Sequence, residues 1–151
     1  MIRRFANLKQ LAQQEGCELG TSSWLMIDQK RIDRFAAATD DHQWIHVDPD
    51  RTARELSMTT IAHGFLTLSL IPKFKYEIFE VKSAKRIINY GCNKIRFLSI
   101  VPVDSMVRGH MFLKRAVLSS ASLRTIAEVT VEIKGEDKPA LIAETITLFY
   151  E

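Results

Sequence analysis

The sequence predicts an α+β fold in which one buried helix is wrapped by a curved antiparallel sheet. Residues 61–79 are apolar almost all round in their first half, a pattern typical of a helix in the middle of a fold. From Lys85 onward the apolar residues recur with a period of two, which indicates strands with one buried face. Helices that come early, followed by a run of strands, favour the α+β class.

The N-terminal segment is predicted to contain a helix, a short strand and a second helix. Apolar residues recur at helical spacing before Gly16, which can end a helix: Phe5, Leu8, Leu11 and Ala12. Residues 23–27 form the strand, and Asp28 then caps a helix that ends near Thr39. The apolar face of that helix carries Ile32, Phe35 and Ala36.

The stretch before the buried helix is predicted to be mostly irregular. Residues 39–48, with the sequence TDDHQWIHVD, are polar and form a loop. Asp48 followed by Pro49 begins a short helix that continues to about Glu55, because a cap residue followed by proline is a helix-start signal. Pro72 lies inside the segment 61–79 and kinks or breaks the helix there.

Four strands follow, at residues 86–98, 105–118, 122–134 and 140–150. Residues 135–139 form the turn between the last two, and consecutive strands with short links are expected to pair antiparallel. No repeat, low-complexity stretch or linker divides the chain, so residues 1–151 are predicted to form one domain.

Composition argues against several classes of function. The net charge of +3 is a small excess, and no run of Lys or Arg interleaved with aromatic residues indicates nucleic-acid binding. The two cysteines, Cys17 and Cys92, form no CxxC pair, which disfavours a disulfide framework or structural zinc and favours a cytoplasmic protein. No apolar stretch approaches the ~20 residues of a membrane span, and no signal peptide is expected.

Asp41 and His46, five residues apart in the predicted loop, are a candidate acid–base pair. Histidine titrates near neutrality, so it can take a proton from water and return it, while a carboxylate orients that water or supplies the other proton. The alternative is that Asp41 caps a turn and His46 is a satisfied loop histidine.

Gly64 begins the buried helix, where backbone N–H groups are unpaired and can polarise a carbonyl oxygen. Alternatively, its lack of a side chain only allows close packing. His63 beside it and Ser69 further along the helix are expected to be mainly structural, with Ser69 bonding back to its own turn.

No metal site is predicted. His42 and His46 have the i, i+4 spacing of a helical zinc motif, but Trp44 and Ile45 between them and the loop-like surroundings do not fit the HExxH arrangement. The sequence also contains no GxGxxG, GxxxxGK[ST] or GxSxG motif, so dinucleotide, P-loop and nucleophile-elbow chemistry have no support.

Taken together, FAAATDDHQWIHVDPDRTARE, TTIAHGFLTLSLIP and INYGCNKIRF resemble the MaoC-like (R)-specific enoyl-CoA hydratases, in the branch that includes nodulation protein N-like dehydratases. The similarity runs from about Glu18 to the C-terminus. The specific signal is the combination of an Asp and a His five apart with the later I-A-H-G helix start.

The resemblance implies a hot-dog fold, with a long central helix wrapped by an antiparallel sheet, and a homodimer whose sheets join. It implies that Asp41 and His46 are the catalytic pair and that the Gly64 N–H holds the thioester oxygen. The reaction is then the reversible hydration of a trans-2-enoyl-CoA to an (R)-3-hydroxyacyl-CoA. Coenzyme A is part of the substrate, and no cofactor, nucleic-acid partner or membrane partner is expected.

Further substrate contacts are predicted at lower specificity. The acyl tail is expected along the apolar helix near Phe65, Leu66 and Ser69, and His63 is a further candidate for substrate binding. Candidates for the CoA phosphates are Lys94, Arg96 and Lys73. Two rival functions on the same fold are an acyl-CoA thioesterase and a non-catalytic acyl-CoA-binding protein.

Two departures from the family pattern affect these expectations. Asp40 stands where close relatives usually have glycine, and its carboxylate can raise the pKa of Asp41 by like-charge repulsion. The segment RFLSIVPVD differs from the usual RFPAPVPVG-like form, which bears on the loop shape and the acyl pocket. Neither change removes a catalytic group.

Overall fold

A six-stranded antiparallel sheet is the largest element of the computed structural model, which describes residues 2–151. Four long strands supply most of it: β5 (Arg86–Phe97), β6 (Ser105–Leu118), β7 (Ser122–Ile133) and β8 (Leu141–Tyr150). The α+β prediction is confirmed, as are these strands and the turn at 135–139. In β7 nearly every second residue is buried, which is the pattern that the two-residue period predicts.

Two shorter strands complete the sheet, β2 (Cys17–Thr21) and β3 (Leu25–Ile27), both paired with β6. The order is β2-β6-β7-β8-β5, so β5 pairs with β8 and not with β6. The expectation that all consecutive strands pair is therefore wrong for β5 and β6. Residues 98–104 cross between them, held by bonds from the Leu98 N–H to the Ala140 carbonyl and from the Val103 N–H to the Thr60 carbonyl.

The first predicted helix is partly wrong. Phe5 belongs to a strand, β1 (Arg3–Phe5), which pairs parallel with β4 (Phe79–Val81). The helix α1 (Leu8–Ala12) begins only after Asn7, whose side chain accepts a bond from the Gln10 N–H. Phe5 is buried because of this strand pairing. The helical spacing therefore predicted correctly that Phe5 is a core residue, but assigned it to a helix where the structure has a strand. Strand β2 was not predicted.

For the helices that precede the central segment, the prediction agrees better with the structure. Helix α2 (Gln29–Thr39) is capped by the Asp28 side chain, as predicted, and α4 (Pro49–Leu56) is capped by the Asp48 side chain. The prediction of a loop throughout residues 39–48 is wrong for Trp44–Val47, which form one helical turn, α3. Within residues 2–151, no helix is long and apolar enough to cross a membrane.

The central helix is broken, as Pro72 predicted. It consists of α5 (Gly64–Ser69) and α6 (Ile71–Ile78), joined at Leu70, with Pro72 in the first turn of α6. It begins at Gly64, as predicted, and Ile61 before it forms a β-bridge with Pro102. Phe74 of α6 is fully buried against Gly109 of β6, where an added Cβ would lie 2.8 Å from the Phe74 ring. The helix thus lies close on the concave sheet.

Candidate active site

Asp41 lies directly after α2, at a sharp change in chain direction. The helix ends on Asp40, which has left-handed backbone angles (φ 58°, ψ 19°). Such a residue ends a helix by turning the chain away, and glycine is the residue that adopts it at least cost. The Asp41 side chain that follows is about half exposed, at 53%. The glycine that the family resemblance leads us to expect at position 40 would therefore fit these backbone angles.

His46 lies on the single turn α3 and is buried. Its Nδ1 is 2.7 Å from the backbone carbonyl of Ile61, so in the neutral ring Nδ1–H donates and Nε2 keeps its lone pair. Burial is the largest effect on its pKa and, with the nearby His63, lowers the pKa of His46 below 6.5 against the opposing effects of the Ile61 bond and Asp41. The ring is consequently neutral near pH 7 and able to accept a proton at Nε2.

His63, just before α5, supports the His46 ring. The two imidazoles stack with centroids 3.8 Å apart and planes 25° apart, and Phe35 contacts the His63 ring at 5.0 Å. The Nε2 of His63 lies 3.0 Å from the backbone carbonyl of Asp41 and donates to it. Its Nδ1 is the one buried side-chain polar atom without a hydrogen-bond partner within residues 2–151. His63 therefore joins the Asp41 turn to the His46 ring.

Asp41, His46 and His63 form one cluster, in which each side chain offers an atom within 4.8 Å of the other two. A carboxylate and an imidazole this close can share one bridging water. Histidine and carboxylate are also ligand types that zinc accepts, so the expectation of a metal-free site stays a prediction. His42, by contrast, is exposed and lies outside the cluster.

Gly64 and His46 line the same cavity, which has a volume of about 410 Å³. Gly64 is the first residue of α5, a position whose N–H has no partner within the helix. A Cβ on Gly64 would lie 3.0 Å from the Phe97 ring, so a side chain there would have to displace that ring. The cavity thus combines an unpaired helix-start amide with the His46 ring.

The remaining predicted contacts lie in three different places. Phe65 is exposed, lines the same cavity as His46 and meets the Phe97 ring edge-on at 5.7 Å. Ser69 donates to the Phe65 carbonyl, as expected for a helix serine, and lines a different cavity. Lys94 and Arg96 lie exposed on β5 and line neither cavity, so their part in CoA binding stays a prediction.

Two contributors to this site were missed. The Ile61 carbonyl that fixes the His46 tautomer is a backbone group. Every residue has such a carbonyl, so the residue type at position 61 does not indicate the contact. Phe97 stands at the end of the INYGCNKIRF segment, but its contact with Gly64 depends on how β5 passes the start of α5. The IAHG segment is the one sequence feature that points to the Ile61 carbonyl, since Ile61 lies two residues before His63.

The chain matches proteins of known family. The MaoC like domain family matches residues 10–136. A 3-hydroxyacyl-thioester dehydratase Z of Mycobacterium tuberculosis is 44% identical over 149 residues, covering 98% of this chain and 99% of that protein. Nodulation protein N of Rhizobium leguminosarum is 47% identical over 136 residues, covering 88% of this chain and 84% of that protein.

Solved structures agree on the fold. An R-hydratase from Pseudomonas aeruginosa superposes with a TM-score of 0.74 at 19% identity, covering 97% of this chain and 87% of that chain. A monoamine oxidase regulatory protein from Archaeoglobus superposes with a TM-score of 0.78 at 18% identity, covering 100% of this chain and 98% of that chain. The predicted hot-dog fold is confirmed, and the chain belongs to the MaoC-like hydratase/dehydratase family.

Proposed function

We propose that this protein catalyses the reversible hydration of a trans-2-enoyl-CoA to an (R)-3-hydroxyacyl-CoA. One observation carries the proposal: the neutral, buried His46 ring, with Nε2 free to accept a proton, lines one cavity with the Gly64 amide and lies beside the Asp41 carboxylate. The relatives named as dehydratases and R-hydratases support the same chemistry.

The thioester carbonyl binds with its oxygen on the Gly64 N–H. Addition of water at C3 places negative charge on that oxygen, because the electrons of the double bond move toward the carbonyl. A fixed N–H aimed at the oxygen stabilises this enolate-like charge more than it stabilises the bound substrate. The amide requires no deprotonation, and the absence of a side chain at Gly64 leaves room for the Phe97 ring, which lines the same cavity.

His46 and Asp41 hold the reacting water. Nε2 of His46 removes one proton from the water as its oxygen forms the bond to C3, and protonated His46 then passes this proton through Asp41 to C2. The carbon–carbon double bond thus gains one hydroxyl and one hydrogen, and the enzyme returns to its starting protonation state. In the reverse direction the same groups remove water from the hydroxyacyl thioester.

The protein is expected to act as a homodimer through β5. This strand lies at the edge of the sheet, is almost wholly exposed, and presents Ile88 and Tyr90 to the surface. A long exposed edge with apolar side chains invites pairing with another sheet. The free, exposed cysteines Cys17 and Cys92 suit a reducing cytoplasm.

The test uses purified protein and crotonyl-CoA, whose enoyl absorbance falls on hydration. We expect Asp41→Asn and His46→Ala each to lose about 10²–10⁴-fold in kcat/KM, the range typical of acid–base groups. His42→Ala changes an exposed histidine in the same segment and should retain full activity.

A thiol-reactive dye in the same assay distinguishes a thioesterase, which would release free coenzyme A. A folded double variant that still hydrates crotonyl-CoA at the wild-type rate would rule out these roles.

A further inference from the structure

A second cavity, of about 290 Å³, lies between the central helix and the concave face of the sheet. Its walls are mainly apolar and include Leu19, Leu68, Met111 and Phe149. An apolar cavity of about 150 Å³ already takes up benzene. The space beside α6 is therefore large enough for an acyl chain of several carbons.

Lys75 of α6 lines this cavity and is an unusual residue for it. The side chain is only 5% exposed, although lysine is rarely buried unless it is paired. Within residues 2–151 its Nζ makes neither an ion pair nor a hydrogen bond, whereas the neighbouring Lys73 pairs with Glu77. The nearest stabilising groups are aromatic faces, Tyr76 at 5.5 Å and Phe149 at 5.7 Å.

The other polar groups of the cavity do not neutralise Lys75. No aspartate or glutamate lines it, and Glu80, which lines a neighbouring cavity together with Lys75 and Tyr76, forms its ion pair with Arg4. The hydroxyls of Thr125 and Thr145 donate to the backbone carbonyls of Thr147 and Ala127, so their hydrogens are already used. Burial lowers the pKa of Lys75 to about 8, which still leaves the amine mostly protonated near pH 7. The cavity therefore carries one uncompensated positive charge in apolar surroundings.

This cavity lies further along the same helix that begins at the candidate active site. Thr67 lines the cavity that contains His46, and Ser69 lines the cavity that contains Lys75. Lys75 follows Gly64 by eleven positions, which corresponds to at most about 16 Å at 1.5 Å per residue, because α5 and α6 are separate helices joined at Leu70. A chain whose thioester is held at Gly64 and that extends along the helix reaches the lysine at its far end.

We propose that Lys75 selects thioester substrates whose acyl chain ends in a carboxylate, which forms an ion pair with Nζ inside this second cavity. The inference rests on the proposed hydration of acyl thioesters at Gly64 and His46. It names the class of substrate as ω-carboxyacyl thioesters of medium length. A methyl-ended chain of the same length shields the Lys75 ammonium from water without offering it a partner, and is discriminated against.

The test compares dodecanoyl-CoA with its ω-carboxy counterpart by calorimetry, and the corresponding trans-2-enoyl pair by turnover. The wild-type protein should bind the ω-carboxy ligand about tenfold more tightly, as expected for a desolvated charge pair, and should prefer it in kcat/KM. In Lys75→Met both preferences should disappear. The control Lys134→Met removes the same charge from an exposed turn and should keep them.

The two readouts separate this proposal from the proposed function. Wild-type protein that binds both ligands equally, or binds neither, overturns the role of Lys75, as does a preference that survives in Lys75→Met. A binding preference lost only in Lys75→Met, without turnover of any enoyl thioester, supports the anion site and rejects the hydration. Lys75→Met is expected to fold, because it replaces a buried ammonium by an apolar chain of similar length.

Discussion

The imidazole of His46 is held in the protonation state that a general base needs. Its Nδ1–H is fixed on the Ile61 carbonyl, its face is covered by His63, and its burial lowers its pKa. In the proposed mechanism His63 is a positioning residue, because it contacts the His46 ring and the Asp41 backbone.

His63→Phe should change the pH dependence of the reaction. A neutral aromatic ring keeps the stacking but removes the repulsion that His63 exerts on protonated His46, so the pKa of His46 should rise. Because that pKa is lowered in the wild type, we expect the acidic limb of its kcat/KM profile below pH 6.5, and we expect the limb at higher pH in the variant. An unchanged limb in a folded variant would show that His63 does not tune His46.

Lys75 lowers the stability of the folded protein near pH 7, because burial disfavours its charged form. Its pKa is about 8 in the folded protein and 10.5 ordinarily, so between these values the unfolded chain binds the additional proton and stability rises with pH. Lys75→Met removes this cost and should raise the free energy of unfolding by up to about 3 kcal/mol at about pH 7. In urea titrations the advantage should shrink toward pH 10; an equal gain at both pH values would contradict buried charge as the cause.

Single residues were the most predictable part of the site. Asp41, His46 and Gly64 lie within short motifs, so their chemistry can be inferred without knowing the fold. Lys75 could not be singled out, because its sequence neighbours are those of an ordinary amphipathic helix. Its burial depends on the distant strands that cover it.

At the scale of elements, helix ends bring the candidate residues together. Helix α2 stops at Asp40 and releases Asp41, α3 presents His46, and α5 begins at Gly64. The caps at Asp28 and Asp48 and the break near Pro72 could be predicted because each is a local signal. The short elements β1, β2 and α3 could not, since their stability comes from tertiary pairing and not from their own sequence pattern.

Asp40→Gly should stabilise the end of α2. Asp40 adopts a left-handed conformation that costs a non-glycine residue roughly 1 kcal/mol, part of which glycine recovers. We expect a gain of about 0.5–1 kcal/mol in the free energy of unfolding from urea titration. Ser57→Gly at the end of α4 is the matched control, because Ser57 has similar backbone angles. A loss at Asp40 combined with a gain at Ser57 would mean that the Asp40 carboxylate makes a stabilising contact.

At the scale of the whole molecule, the curved sheet and the broken central helix place two cavities along one helix. The alternation in β5 to β8 predicted the strands, but not that β5 would occupy an edge beside β8. That position depends on the crossing segment 98–104, whose course is set by bonds to distant backbone groups. It exposes the apolar side chains of β5, and it brings Phe97 to the mouth of the cavity that holds Gly64 and His46.

The most direct measurement is a crystal structure of Asp41→Asn, slowed in turnover, with a bound trans-2-enoyl-CoA. The proposed mechanism requires the thioester oxygen within hydrogen-bonding distance of the Gly64 amide nitrogen, and a water between C3 and Nε2 of His46. A thioester bound elsewhere, or a C3 atom turned away from the His46 ring, would contradict it.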